Sequence, residues 1–339
     1  MNHPEGKKQF YIATANLLNF ANPNRIYYDN APAYDNKAYE HKLLGLTDLL
    51  TKAHADILAV QEVWDADALE ALAVSLGFKP EQVIIPLASN DSASPYTKGQ
   101  GAQNTPAVGI ISRFESLETT LLEEIAPKAV IDIPDFGLHT RFNRPPLIVR
   151  VDAYGQPITV VTAHLKSKRA FFLRDDNGNL LEDMDDPNIR IRAKLRSLCM
   201  RAAEAASIRM SIVERLHHTR EPLILLGDMN DVTSSVTTQL MTETGEVNYD
   251  KSMRDVALFD AARIQARYGW MKDMAYTHIH QGMPEVIDQL FVSEEFLPDS
   301  KFSLGQVERV DYFNDHLKWD YVDRVTDHGI IRAKIRLND

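Results

Sequence analysis

The feature that most constrains this chain is a recurring unit: an apolar run of strand length that ends in one or two chemically capable polar residues. It appears in Thr-Ala-Asn16, Val-Gln-Glu62, Val-Thr-Ala-His164, Leu-Gly-Asp228-Met-Asn230, Val-Ile-Asp288-Gln-Leu-Phe-Val and Thr-Asp327-His328-Gly. Such runs read as buried strands, and an α/β scaffold displays its functional groups where strands run out. Brought together, these ends would carry the carboxylates, amides and imidazoles of a metal and phosphate site.

With 339 residues, 44% of them hydrophobic and 25% charged, the chain has enough apolar material for a large core. No composition break or linker separates its halves, and residues from both are needed for one site. The expectation is a single domain over residues 1–339. The only cysteine is Cys199, in a helical segment, so neither a disulfide framework nor a thiolate metal cluster is expected. That favours a reducing compartment. The N-terminus lacks the pattern of a signal peptide, and no apolar run reaches the roughly 20 residues that span a membrane. A cytoplasmic location is the expectation, with secretion as the alternative for a chain trimmed from a precursor, and no membrane-spanning segment or obligate protein partner is inferred.

The net charge of −11 argues against coating long nucleic acid by bulk electrostatics. Local recognition is another matter. Arg141, Arg144 and Arg150 precede His164, and Lys166, Lys168, Arg169 and Arg174 follow it. Bracketing a candidate catalytic histidine, this cluster points to phosphate contact, with Arg144, Lys166 and Lys168 as the substrate-binding candidates. A second cluster, Arg190, Arg192, Lys194, Arg196 and Arg201, follows the acidic run 182–186. It reads equally well as a solvated helix face balanced by nearby acids.

Read along the chain, strands are expected at Phe10–Asn16, Asp56–Gln61, Val108–Ser112, Leu147–Asp152, Ile158–Ala163, Pro222–Gly227 and Ile330–Ile335. Tyr154-Gly-Gln-Pro should turn a hairpin between the fourth and fifth of these. Helices are expected at Tyr39–Ala53, where leucines recur at helical spacing, at Asp65–Leu76 before Gly77, and from Ile189 to about His218 behind Asp186-Pro187. The polar stretches Asn22–Asp35 and Ala88–Pro106 read as loops. No fixed-period repeat is visible, although two similar halves are compatible with the pattern.

Each motif has its own chemistry. A hard cation such as Mg²⁺ takes oxygen ligands and keeps several waters, so one or two carboxylates suffice, and Glu62 is the best candidate. Gly227 lets the backbone turn at the sheet edge, so that Asp228 and Asn230 present a base and an amide on one side of the turn. His164 emerges from a core strand beside cations, which disfavour its protonated form unless an anion lies between. Asp288 is a charge in an otherwise buried strand, and burying it unpaired would be costly. A histidine or a metal is therefore implied as its partner. Asp327-His328 sits just before an apolar strand, and adjacent strand residues point apart.

Taken in order, Asn16, Gln61-Glu62, His164-Leu165, Gly227-Asp228-Met-Asn230, Asp288 and Asp327-His328 resemble the endonuclease/exonuclease/phosphatase superfamily over nearly the whole chain. Within it, His164-Leu-Lys166-Ser-Lys168, Arg144-Pro-Pro and Ala275-Tyr276-Thr277 with Gly282 are similar to bacterial extracellular nucleases. Gln289 stands where many of those carry histidine. The resemblance implies an α/β fold, a four-layer α/β/β/α sandwich of two mixed sheets flanked by helices, with a site at one rim. It implies a phosphodiester hydrolase using Mg²⁺ or Mn²⁺, with Ca²⁺ as a third option, that cleaves DNA or RNA by water attack on phosphorus. The alternative is a hydrolase of a small-molecule or lipid phosphoester. In these terms Glu62, Asn16 and Asp327 lie on the metal side. Asp228 activates water, Asn230 holds phosphate, His164 and His328 stabilise the pentacovalent phosphate, and Asp288 orients its neighbours.

Overall fold

The computed structural model describes residues 8–27, 32–86, 105–175, 178–242, 251–265, 274–280, 283–318 and 325–338. Most of the expected loop Ala88–Pro106, together with Gly282, lies outside the described residues.

The chain opens with β1 (Gln9–Phe20), α1 (Asn36–Ala53), β2 (Ile57–Val63) and α2 (Ala66–Ser75), then the short β3 (Val83–Ile84), β4 (Ala107–Ser112) and β5 (Ser116–Leu121). A small hairpin of β6 (Ile131–Ile133) and β7 (Gly137–His139) precedes β8 (Leu147–Ala153) and β9 (Gln156–His164). The long α3 (Pro187–Leu216) leads to β10 (Leu223–Asp228) and α4 (Val236–Thr242). The last strands are β11 (Phe259–Asp260), β12 (His278–His280), β13 (Met283–Glu285), β14 (Asp288–Val292), β15 (Gly305–Phe313) and β16 (Ile330–Leu337).

Local chemistry sets the boundaries. α1 starts ahead of Tyr39 because Asp35 caps it, accepting from the Ala38 N–H at 2.7 Å. Asp186 caps α3 in the same way, with Pro187 at the first helical position. Tyr154 and Gly155 have φ of 60° and 84°, the left-handed pair that a two-residue hairpin between β8 and β9 requires.

Two six-stranded mixed sheets result, in the orders β15-β16-β1-β2-β4-β3 and β11-β14-β10-β9-β8-β5. Alternation along the strands assigns the layers. Phe10, Ile12, Ile57 and Ala59 of the first sheet meet Val149, Val160, Ile224 and Leu226 of the second in a common core. The opposite faces take the helices. Ala13, Leu58 and Val60 pack with Leu46, Leu49 and Leu50 of α1, while Val161, Leu223 and Leu225 pack with Ile208, Ile212 and Leu216 of α3. This is the four-layer α/β/β/α sandwich, and strands covered on both faces explain the continuous apolar runs.

The two halves repeat one unit. In the first sheet β1 and β2 run parallel, joined through α1; in the second β9 and β10 run parallel, joined through α3. Every other strand pair in the two sheets is antiparallel among the described residues. The C-terminal ends of the parallel strands therefore form the polar edges available to a site.

Candidate active site

Asn16 closes the regular part of β1, Glu62 lies one residue from the end of β2, and His164 and Asp228 are the last residues of β9 and β10. Register then aligns them. Asn16 pairs with Gln61, and Asp228 stands opposite both His164 and Asp288. His328 precedes β16, as expected of a strand entry, whereas Asp288, expected within a buried strand, is the first residue of β14. Both strands run antiparallel to their neighbours, so their starts fall on the same rim as the ends of β1 and β10.

Asp228 is the centre. Its Oδ2 lies 3.3 Å from Nε2 of His164 and 3.8 Å from Nε2 of His328, and it accepts from the amides of Asn16 at 3.1 Å and Asn230 at 3.3 Å. Its Oδ1 accepts from the Asn230 N–H at 2.8 Å, which folds the turn back on the strand. Gly227 is obligatory here for a simple reason. At φ 141°, an added Cβ would meet the Ala163 carbonyl oxygen at 2.0 Å.

Asp288 has the histidine partner that its burial demands: its Oδ2 lies 2.8 Å from Nδ1 of His328. The two histidines are driven apart electrostatically. Burial, assisted by Arg144, holds His164 below its ordinary pKa, whereas Asp288, Asp228 and Asp327 together outweigh burial and hold His328 well above it. The two nearby imidazoles keep Asp228 far below the usual carboxylate range despite its burial. At neutral pH one imidazole is neutral and the other cationic, beside one carboxylate.

The Glu62 side of the rim is built on bent backbone. Leu18, Asn19 and Glu62 all have positive φ, at 49°, 53° and 62°. Four interactions hold the bend. Asn16 Oδ1 accepts from the Leu18 N–H at 2.9 Å, Glu62 Oε2 accepts from the Asn19 N–H at 2.9 Å, Asn19 Oδ1 accepts from Trp64 at 3.1 Å, and the buried Lys42 donates to the Leu18 carbonyl at 2.5 Å. Asn16 also donates to Glu62 Oε1 at 3.2 Å, and that oxygen is 3.9 Å from His164. Asp327 has a buried Oδ1 without a hydrogen-bond partner among the described residues. An orphaned carboxylate oxygen, a second carboxylate and no thiolate make a donor set that suits a hard, oxygen-seeking cation.

The cationic candidates fare unevenly. Arg144 donates to the carbonyls of His164 at 3.1 Å and Leu165 at 2.5 Å, so it is fixed beside the site. Lys166, pushed down to about 8 by burial and by the neighbouring arginines, lies over the Phe171 ring. Lys168 is half-exposed and approaches Asp231 at 3.4 Å and Glu285 at 3.9 Å. The second basic cluster is structural where its contacts are seen. Arg190, Arg192, Arg196 and Arg201 pair with Asp185, Asp135, Glu182 and Asp231. Gln289 supports the turn, donating to the Asp231 carbonyl at 2.6 Å.

Three neighbours escaped the sequence reading. Lys42 shares its helix face with Leu46, Leu49, Leu50 and Ala53, so a cation on an apolar stripe was the available signal. Glu204, buried on α3, accepts from Asn143 and from the Lys166 N–H, tying the Arg144 and Lys166 loops together. His278 brings a third imidazole, its ring centroid 5.3 Å from that of His328. A cavity of about 570 Å³ lined by Tyr11, His54, Asp56, Phe78, Arg113 and Tyr154 lies at the opposite rim and contains none of these groups.

The fold and this rim define an enzyme-like α/β sandwich, and residues 13–328 match the Endonuclease/Exonuclease/phosphatase family, to which the chain belongs. Solved structures share the architecture. The catalytic domain of human Nocturnin with bound sulfate aligns with a TM-score of 0.56 at 14% identity, covering 98% of this chain and 96% of that one. An endonuclease/exonuclease/phosphatase from Bacteroides vulgatus gives 0.55 at 16% identity, covering 97% and 99%. Truncated Caenorhabditis elegans TDP2 gives 0.52 at 13% identity, covering 97% of each. No curated relative matches the sequence significantly.

Proposed function

We propose that the chain acts as one catalytic domain and hydrolyses phosphodiesters, most readily those of DNA or RNA, with a divalent cation, Mg²⁺ or Mn²⁺, as cofactor. The observation that carries this reading is Asp228 held between His164 and His328, at 3.3 and 3.8 Å from one carboxylate oxygen, beside an oxygen-donor set.

Glu62 and Asp327, with Asn16 beside them, would hold the cation, which when bound neutralises charge on the phosphate. The remaining work falls to side chains. A water hydrogen-bonded to Asp228 closes on phosphorus, and its proton passes to the carboxylate as the new P–O bond forms. The P–O bond to the leaving group then breaks, and the departing oxygen takes a proton from solvent. Asp228 sheds its proton readily, because the adjacent imidazoles favour its anion. The His328 imidazolium, oriented by Asp288, offsets the charge that develops on the non-bridging oxygens, while Asn230 fixes one of them. Arg144, Lys166 and Lys168 steer the phosphate towards this rim.

The test is cleavage of supercoiled plasmid and of single-stranded DNA, with Mg²⁺ or Mn²⁺ and with chelator, beside Asp228→Ala. Metal-dependent nicking absent from the variant supports the nuclease reading. Folded protein that leaves DNA intact but hydrolyses an aryl phosphodiester shifts the substrate to a small or lipid phosphoester.

A further inference from the structure

β12 carries two histidines on one face. Strand alternation puts His278 and His280 on the same side, and their rings are nearly parallel at 23°, with centroids 6.3 Å apart. The inner ring belongs to the site's rim: it lies 5.3 Å from His328, tilted by 44°, and its Nδ1 is buried without a hydrogen-bond partner among the described residues. The outer ring is exposed. A row of imidazoles thus runs from His328 outwards.

The row is fixed in place. Thr277, fully buried, accepts through its hydroxyl oxygen from the N–H groups of Ile287 at 3.1 Å and Asp288 at 3.0 Å. Its carbonyl accepts from Gly329 N–H at 2.6 Å. The residue before His278 is therefore pinned both to Asp288 and to the residue after His328. Across the hairpin His278 pairs with Glu285, which approaches Lys168 at 3.9 Å. A cation proposed for phosphate contact and a shelf of flat rings flank the same opening.

We infer that the His278–His280 face is a substrate subsite that stacks a planar group, as in a nucleoside, next to the scissile phosphate. The inference rests on the phosphodiesterase reading above and narrows its substrate class. A simple alkyl substituent would gain less from such a shelf than a planar base, which can stack on it.

Two esters with the same leaving group decide the matter: thymidine 5′-(4-nitrophenyl phosphate) and methyl 4-nitrophenyl phosphate. The wild type should prefer the nucleoside ester. His278→Ala should raise KM for that ester by about five- to a hundredfold, the range of one lost base–aromatic stack, and so lower the preference for it over the methyl ester by about the same factor. His278→Phe, which keeps a flat ring, should recover most of the loss. Equal losses on both esters, or an unchanged preference in His278→Ala, overturn the subsite. Asp228→Ala separates the two readings. If it retains the wild-type rate, the hydrolase assignment fails, whereas an inactive Asp228→Ala beside an unaltered His278→Ala overturns the shelf alone. Calorimetric binding of thymidine 3′,5′-bisphosphate, weakened at least fivefold in His278→Ala, reads the subsite even where nothing is hydrolysed; unchanged binding overturns it.

Discussion

His164 and His328 approach the same carboxylate oxygen at 3.3 and 3.8 Å, yet their environments act on them in opposite directions. Three acidic neighbours raise His328, whereas burial and Arg144 lower His164 from the ordinary 6.5. The sign of the pH dependence follows. His164 is neutral only above its lowered pKa, and once protonated it pairs with Asp228 at 3.3 Å and weakens that carboxylate as a base, so activity is lost as pH falls through a value below 6.5. His328 is cationic only below its raised pKa, so activity is lost again as pH rises past a value well above 6.5. A bell-shaped kcat profile is expected, and His328→Gln should remove its basic limb. His164→Ala, Asp228→Ala and His328→Ala should each lower kcat/KM by about a hundred- to ten-thousandfold. Circular dichroism should show that all three variants still fold, with the thermal midpoint lowest for His328→Ala, which leaves the buried Asp288 without its partner, and three variants with wild-type rates would sink the assignment. Most of these residues were legible because each stands where an apolar run stops. His278 was not, although Thr277-His-Ile-His reads as a strand with two imidazoles on one side.

At the scale of elements, the bend in β1 and the buried face of α3 hold the site's loops. Lys42 reaches from α1 to the Leu18 carbonyl, and the bend it supports presents the Asn19 N–H to Glu62. Lys42→Met should therefore raise the Mg²⁺ concentration for half-maximal activity about tenfold, as loss of an outer ligand support does. A metal titration read by activity and by calorimetry checks this, and an unchanged midpoint denies Lys42 that role. On α3, the fully buried Arg196 binds Glu182 and Asp135 and donates to the carbonyls of Pro134 and Phe171. It pins the segment between His164 and α3 to the helix. Arg196→Ala should cost about 3 kcal/mol in urea unfolding and expose that segment to protease. Arg196 also holds Glu182 below its ordinary 4.5, so the pair's stabilisation is present above that value and lost as pH falls through the lowered one. The variant should flatten the acid side of the stability profile. The helix itself was readable from its period and its Asp-Pro start. The inward direction of Arg196, Arg201 and Glu204 was not, because period alone does not say which charged residues meet partners across the fold.

For the whole molecule, a net charge of −11 and a few cations at one rim predict weak electrostatic tracking of nucleic acid. With Lys166 and Lys168 making about two phosphate contacts, log K against log salt for single-stranded DNA should have a slope of about −1.4. Lys168→Ala should make it shallower by about 0.7 in a fluorescence titration, and a much steeper wild-type slope would reveal a basic groove elsewhere. What the sequence by itself determined was the kind of residue at each strand boundary, the buried character of the strands, the helices between them and the family to which their order belongs. Only the tertiary structure decided the pairing of Asn16 with Asp228 across 212 residues, the side of the rim on which Asp288 and His328 begin their strands, and the opposite protonation of two similar histidines. The physical reason is that residue type and period are local properties. Distances between carboxylates and imidazoles, and the burial that shifts them, are set by strand register and sheet packing between segments far apart in the chain.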